Sequence, residues 1–246
     1  MNAFSIFSAH VRARLIELFR IPAFTVPTLL FPALFFVMFA APWVHGRDEA
    51  TGAMLSFVAF AVIGVTLFQF GVGVSAERAQ PWERYIRTLP APLIARFGAR
   101  VICAIVFGVL SAALVVAVAL LRTPAHLSAA GWFELLIFTL AGGIPFVLFG
   151  LAIGYWTNGR AAVPIANIFY LLLSFAGGLW MPPSVLPHFA QVVSPYLPTR
   201  QFGELLWSIS GSHAPIHALA VLAVYAALFA AIAAAGYRRD ERMRYA

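Results

Sequence analysis

Residues 50–76 read ATGAMLSFVAFAVIGVTLFQFGVGVSA and contain no charged side chain. A helix rises 1.5 Å per residue, so about 20 apolar residues suffice to cross the hydrocarbon core of a bilayer. This stretch lies between Glu49 and Glu77 and exceeds that length. The sequence therefore predicts one membrane-spanning α-helix here.

Further uncharged runs follow the same pattern along the 246 residues, of which 62% are hydrophobic and 10% are charged. A soluble domain typically carries about 25% charged residues, so a soluble fold is excluded. We predict an all-α membrane protein that forms a single transmembrane domain over residues 1–246. Its six spans are expected near residues 23–44, 53–75, 101–121, 135–157, 161–181 and 216–236.

Arginine supplies all sixteen basic residues, and their positions predict the orientation. Six spans place both termini on the same side of the membrane. If that side is the cytoplasm, thirteen arginines lie inside and only Arg47, Arg122 and Arg200 lie outside. The positive-inside rule favours this arrangement, which indicates a bacterial inner-membrane protein with cytoplasmic termini. The anionic lipid bilayer accounts for the net charge of +7, so no nucleic-acid partner is expected.

Two segments outside the spans have patterns of their own. Residues 1–20 place apolar and polar side chains on different helix faces, which predicts an amphipathic helix in the membrane interface. This helix could serve as a lipid anchor or dock a partner. Residues 182–215 begin with PPSVLPHFAQVVSPYLP, whose prolines predict short outer-face helices. We interpret this segment as a gate or a passive cap, with Trp180, Pro182, Pro183 and Phe189 as its candidate residues.

The predicted spans contain no Asp, Glu or Arg, which argues against a proton-coupled or sodium-coupled carrier. The chain has no lysine and therefore no Walker A nucleotide site. No motif for catalysis or metal binding stands out, so we assign no catalytic, cofactor-binding or metal-binding residue and leave enzymatic activity open. The aromatic and polar residues in the spans suit either helix packing or a substrate path. The candidate path residues are Phe35, Phe39, Gln69, Asn167 and Tyr170.

The charged loop between the second and third spans, residues 75–102, reads SAERAQPWERYIRTLPAPLIARFGARVI. Glu83 and Arg87 have the i, i+4 spacing of a helical ion pair, and Pro90 ends the helix. The sequence thus predicts a short amphipathic helix within residues 77–92. Such a helix could lie on anionic lipid or in a groove of a soluble partner.

At these residues the chain resembles the ABC-2 family of ATP-binding cassette transporter permeases. In that family the loop typically runs Glu-Arg, a short gap, an aromatic residue or Leu followed by Glu, then Leu-x-x-Leu-Pro or a similar run, and a Gly before the third span. The usual glycine in the gap after Glu-Arg is absent, and Pro81 lies nearby. The matching positions are Glu77-Arg78, Trp82-Glu83, Leu89-Pro90 and Gly98.

The resemblance implies a permease subunit of an ABC exporter, driven by a separate ATPase subunit that binds ATP and Mg. The expected assembly is a homodimer of permeases with two ATPases, and the expected cargo is amphipathic or hydrophobic. A lipid-linked glycan exporter of the same family and a non-transporting membrane scaffold are the alternatives. The loop helix would be the coupling helix that contacts the ATPase. Its candidate residues are Glu77, Arg78, Trp82, Glu83, Arg84, Tyr85, Arg87, Leu89 and Pro90.

Overall fold

The computed structural model describes residues 3–81, 93–211 and 215–245. Within these ranges the chain forms helices and turns and no strand, which confirms the all-α prediction. A π-helical segment, Leu67–Val72, joins α3 to α4, and 3-10 turns lie at Pro183–Val185, Ser194–Tyr196 and Ser208–Ser210. The α-helices are α1 (Ala3–Phe19), α2 (Pro22–Phe39), α3 (Arg47–Thr66), α4 (Gly73–Arg78), α5 (Leu93–Arg122), α6 (Ala129–Trp156), α7 (Gly159–Ala176), α8 (His188–Val193), α9 (Pro198–Trp207) and α10 (Pro215–Tyr245).

Six of the described helical runs are long and apolar enough to cross a membrane, which confirms the predicted number of spans. The second span is the continuous run Arg47–Arg78, formed by α3, the π-helical segment and α4. The other five spans are α2 and parts or all of α5, α6, α7 and α10.

Two helices end earlier than the sequence pattern predicted. The first span ends at Phe39 rather than near residue 44. The fifth ends at Ala176 rather than near Met181, because the chain turns at Gly177 and Gly178. Gly178 adopts a φ of +76°, in the left-handed region that favours glycine after a helix.

The second span forms the centre of the bundle. Fifteen of the twenty residues of α3 are buried, and the helix packs against α2, α5, α6 and α9. At 1.5 Å per residue the 32 residues of this span measure about 48 Å from end to end. We call its two ends the Arg47 end and the Arg78 end.

The second half of the bundle packs on the π-helical segment through small residues of α6. A Cβ added at Gly154 would lie 2.7 Å from the carbonyl oxygen of Phe70, and one at Gly150 would lie 2.9 Å from that of Thr66. Only glycine permits this approach of two backbones. Helix α10 then packs along α6, while α1 packs on α5.

Candidate functional site

Glu77, in the last turn of α4, joins three helices at the Arg78 end. Its carboxylate lies 2.8 Å from Arg14 Nη2 of α1 and forms a second ion pair with Arg100 of α5. Arg100 also donates a hydrogen bond to the carbonyl oxygen of Gln69 at 3.0 Å. Because Glu77 lies shortly before residues 82–92, these ion pairs fix the start of the predicted coupling segment to α1 and α5.

Arg78 joins the same point of the chain to the other half of the bundle. Its Nη2 lies 2.5 Å from Asp240 Oδ1 of α10, and the Asp240 side chain is only 4% exposed. Its Nη1 donates to the carbonyl oxygens of Gly154 at 2.6 Å and Thr157 at 3.2 Å. These carbonyls end α6 and lack partners within their own helix, so the guanidinium also caps α6.

Aromatic contacts strengthen the link between α6 and α10 beside this ion pair. The rings of Tyr155 and Tyr237 meet edge to face at 5.5 Å between centroids. Trp156 donates its indole N–H to the carbonyl oxygen of Ile232 at 2.9 Å, and the Arg239 guanidinium lies 5.2 Å above the Trp156 ring. The last turns of α10 are therefore held to the end of α6.

Between the Arg47 end and the middle of the bundle an aromatic cluster fills the space between α2, α3 and α7. The Trp180 ring lies 5.2 Å from Phe35, 5.7 Å from Phe39 and 5.8 Å from Phe60, measured between centroids. Phe60 stacks in turn on Tyr170 at 4.4 Å. We call these five residues the aromatic cluster.

A cavity of about 680 Å³ lies next to the aromatic cluster, and we call it the apolar cavity. Its walls come from the end of α2, the first turns of α3 and residues 182–215, which we call the proline-rich segment. They include Trp43, Pro182 and Pro183. Ser56 is one of its few polar groups, and its hydroxyl accepts a hydrogen bond from Trp207 Nε1 at 2.8 Å. A volume of this size and apolar character suits a small organic molecule.

Comparison with known proteins shows the family of the chain. Residues 6–209 match the family described as ABC-2 type transporter. The chain belongs to this family. This ABC-2 permease is also 30% identical, over 177 residues that cover 72% of each chain, to the Bacillus subtilis (strain 168) protein named "Putative transport permease YvfS". No solved structure matches it.

The ABC-2 permease is thus a multi-pass membrane protein with a transport role, and its family implies partnership with an ABC ATPase subunit. Among its predicted coupling residues, the structure describes Glu77 and Arg78, which are tied to the bundle as above. The other predicted residues lie outside the described ranges, and their role stays a prediction. They are Trp82, Glu83, Arg84, Tyr85, Arg87, Leu89 and Pro90.

Three of the five candidate path residues of the permease, Phe35, Phe39 and Tyr170, meet in the aromatic cluster. Gln69 lies in the π-helical segment with 1% of its surface exposed, and neither atom of its side-chain amide has a hydrogen-bond partner in the described part of the chain. Asn167 is half-buried on α7. Gln69 and Asn167 do not line the apolar cavity.

The candidate gate residues of the permease divide into two groups. Trp180, Pro182 and Pro183 line the apolar cavity, whereas Phe189 is 71% exposed and lies outside it. Sequence reasoning did not select Arg14, Asp240, Phe60 or Trp207 for these sites. One feature of the sequence could have indicated Asp240, because it is an acidic residue within the basic run RRDERMR.

Proposed function

We propose that this ABC-2 permease is the membrane subunit of an exporter that moves an amphipathic or hydrophobic molecule across the bacterial cytoplasmic membrane. A separate ATPase subunit, which binds ATP and Mg, supplies the energy. In this proposal both termini and the Arg78 end face the cytoplasm. Two permease chains assemble with two ATPase chains.

The observation that supports the proposal is that Glu77 contacts one half of the bundle and Arg78 contacts the other half. These adjacent residues contact α1, α5, α6 and α10 through ion pairs and charge-assisted hydrogen bonds. They lie shortly before residues 82–92, where the family resemblance places the contact with the ATPase. A displacement of that segment would therefore move helices in both halves of the bundle together and bias one transport conformation over another.

The apolar cavity supports a hydrophobic or amphipathic cargo, because a strongly hydrated ion or sugar would lose its water there without replacement hydrogen bonds. The lipid part of a lipid-linked glycan would also suit these walls. A glycan exporter within the family is therefore the second candidate.

The test is ATP hydrolysis in proteoliposomes that contain the ATPase subunit with and without this chain. We expect the permease to raise the hydrolysis rate and to support ATP-dependent uptake of a lipophilic fluorescent dye into inside-out vesicles. Glu83→Arg and Arg87→Glu should each reduce dye uptake per ATP hydrolysed, because each change breaks the predicted ion pair of the coupling helix.

The matched control is Arg160→Glu, a charge reversal at an exposed position in the first turn of α7. It should leave the uptake per ATP unchanged. A hydrolysis rate that does not depend on the permease would favour the scaffold alternative. Normal uptake in both loop variants would contradict a coupling role for residues 83 and 87.

A further inference from the structure

A second cavity adjoins the apolar cavity at the Arg47 end. Its volume is about 400 Å³, and we call it the polar cavity. The two cavities share Gly52, Pro183 and Trp207 in their walls. The remaining walls of the polar cavity come from Asp48, Ser184, Arg200, Glu204 and Ser210.

Trp207 lines both cavities. Its indole N–H donates to the Ser56 hydroxyl, which lines the apolar cavity. The guanidinium of Arg200, which lines the polar cavity, lies 5.1 Å above its ring. The two contacts hold the ring in place where the cavities meet, so a ligand could place an apolar part in one cavity and a polar part in the other.

The charged groups around the two cavities are mostly acidic. Asp48, Glu49 and Glu204 line them together with one basic residue, Arg200, which gives a formal charge of −2. Arg200 pairs with Glu204 at 2.5 Å, and no basic side chain in the described part of the chain pairs with Asp48. Asp48 and Glu49 lie in the first turn of α3. The formal charge of the residues that line the two cavities favours a cation over an anion of the same shape.

We propose that the two cavities form one binding site for a lipophilic molecule that carries a single positive charge. The apolar cavity takes the hydrophobic body, and the carboxylates of Asp48 and Glu49 attract the charge. The inference deepens the proposed function, because the bound cation would be the cargo of the exporter. Binding itself requires no ATPase, so it can be tested separately.

The probe is tetraphenylphosphonium, and the matched anion is tetraphenylborate, which has nearly the same shape. Equilibrium dialysis of the radiolabelled cation against the purified chain in detergent, with empty micelles as the blank, gives the affinity. We expect saturable binding of the cation that tetraphenylborate does not displace. Asp48→Asn should weaken it by about fivefold, the effect of a partly exposed charge pair.

Gly52→Leu is the sharper variant, because Gly52 lines both cavities and a Cβ added there meets no atom within 4 Å. Its side chain should occupy the cavity, leave the fold intact and weaken binding by about tenfold or more. Gly108→Leu is the control, since an added Cβ at Gly108 also meets nothing within 4 Å and Gly108 lines neither cavity.

Three results would overturn the site: no saturable binding, equal affinity in Gly52→Leu and the unchanged chain, or equal competition by tetraphenylborate. None of them bears on whether the chain stimulates an ATPase. Conversely, saturable cation binding with the expected variants would support the site even if the proteoliposomes show no stimulated hydrolysis.

Discussion

Asp240 is the residue through which the last helix contacts the start of the predicted coupling segment. Its carboxylate is nearly inaccessible and pairs with Arg78 at 2.5 Å. Removing one partner of a buried ion pair leaves the other charge poorly compensated and costs about 3–5 kcal/mol. We therefore predict that Asp240→Asn lowers the midpoint of thermal unfolding in detergent and reduces transport per ATP hydrolysed.

The neighbouring Glu241 provides the control for this prediction. Glu241→Gln makes the same change in net charge at a half-buried position one residue further along α10. It should leave both the unfolding midpoint and the transport per ATP unchanged. Equal losses in the two variants would mean that total charge, rather than the ion pair with Arg78, carries the effect.

At the residue scale, sequence reasoning found Glu77 and Arg78 but not their partners. The two residues stand out because they begin a recognisable motif. Asp240 lies 162 positions away from Arg78, and no periodicity within α10 indicates which other helix its carboxylate will meet. Residue spacing predicts neighbours within one helix, whereas ion pairs between helices depend on which helix ends come together.

The contact between α6 and the π-helical segment leaves no room for a side chain at Gly154. A Cβ at Gly154 would meet the Phe70 carbonyl oxygen at 2.7 Å and the Val74 Cβ at 2.9 Å, and neither atom is the end of a flexible side chain. Gly154→Ala should therefore destabilise the protein by about 1–3 kcal/mol, as overpacking of a close contact does. Thermal or denaturant unfolding in mixed micelles would measure the change.

Gly52→Ala is the counterpart in α3, where the added methyl group meets no neighbour. Replacing a helical glycine by alanine without a clash stabilises by about 0.5–1 kcal/mol. The two glycine-to-alanine variants should thus shift stability in opposite directions. A neutral Gly154→Ala would contradict the close approach of α6 to the second span.

The elements themselves differ in how well the sequence predicts them. The number of spans follows from the number of long uncharged runs, because a helix needs about 20 apolar residues to cross the bilayer. Helix α7 ends early because the chain turns at Gly177 and Gly178. The prediction extended the helix to Met181 because the residues up to that point are uncharged and mostly apolar. The π-helical turn at residues 67–72 has no distinguishing local composition. It lies against Gly150 and Gly154 of α6, so its geometry depends on a contact with a helix about 80 positions later.

At the scale of the whole molecule, the second span connects the two functional regions. Gly52, which lines both cavities, and Glu77, which anchors the coupling segment, lie on this one run about 37 Å apart along the helix axis. Because the span is buried along most of α3, it can move only together with the helices that surround it. A displacement at the Arg78 end should therefore move the residues at the Arg47 end.

Movement at the Arg47 end can be tested through the proline-rich segment. The chain has one natural cysteine, Cys103, which is buried and thus protected from labelling, whereas Phe189 is 71% exposed. We predict that a maleimide labels Phe189→Cys at a different rate when nucleotide is trapped in the ATPase, because the segment contributes walls to the apolar cavity, which the proposed transport cycle would reshape. Leu121→Cys, at a position that is 83% exposed near the end of α5 and lines neither cavity, is the control for general changes in reactivity. Equal rates at residue 189 with and without trapped nucleotide would identify the segment as a passive cap.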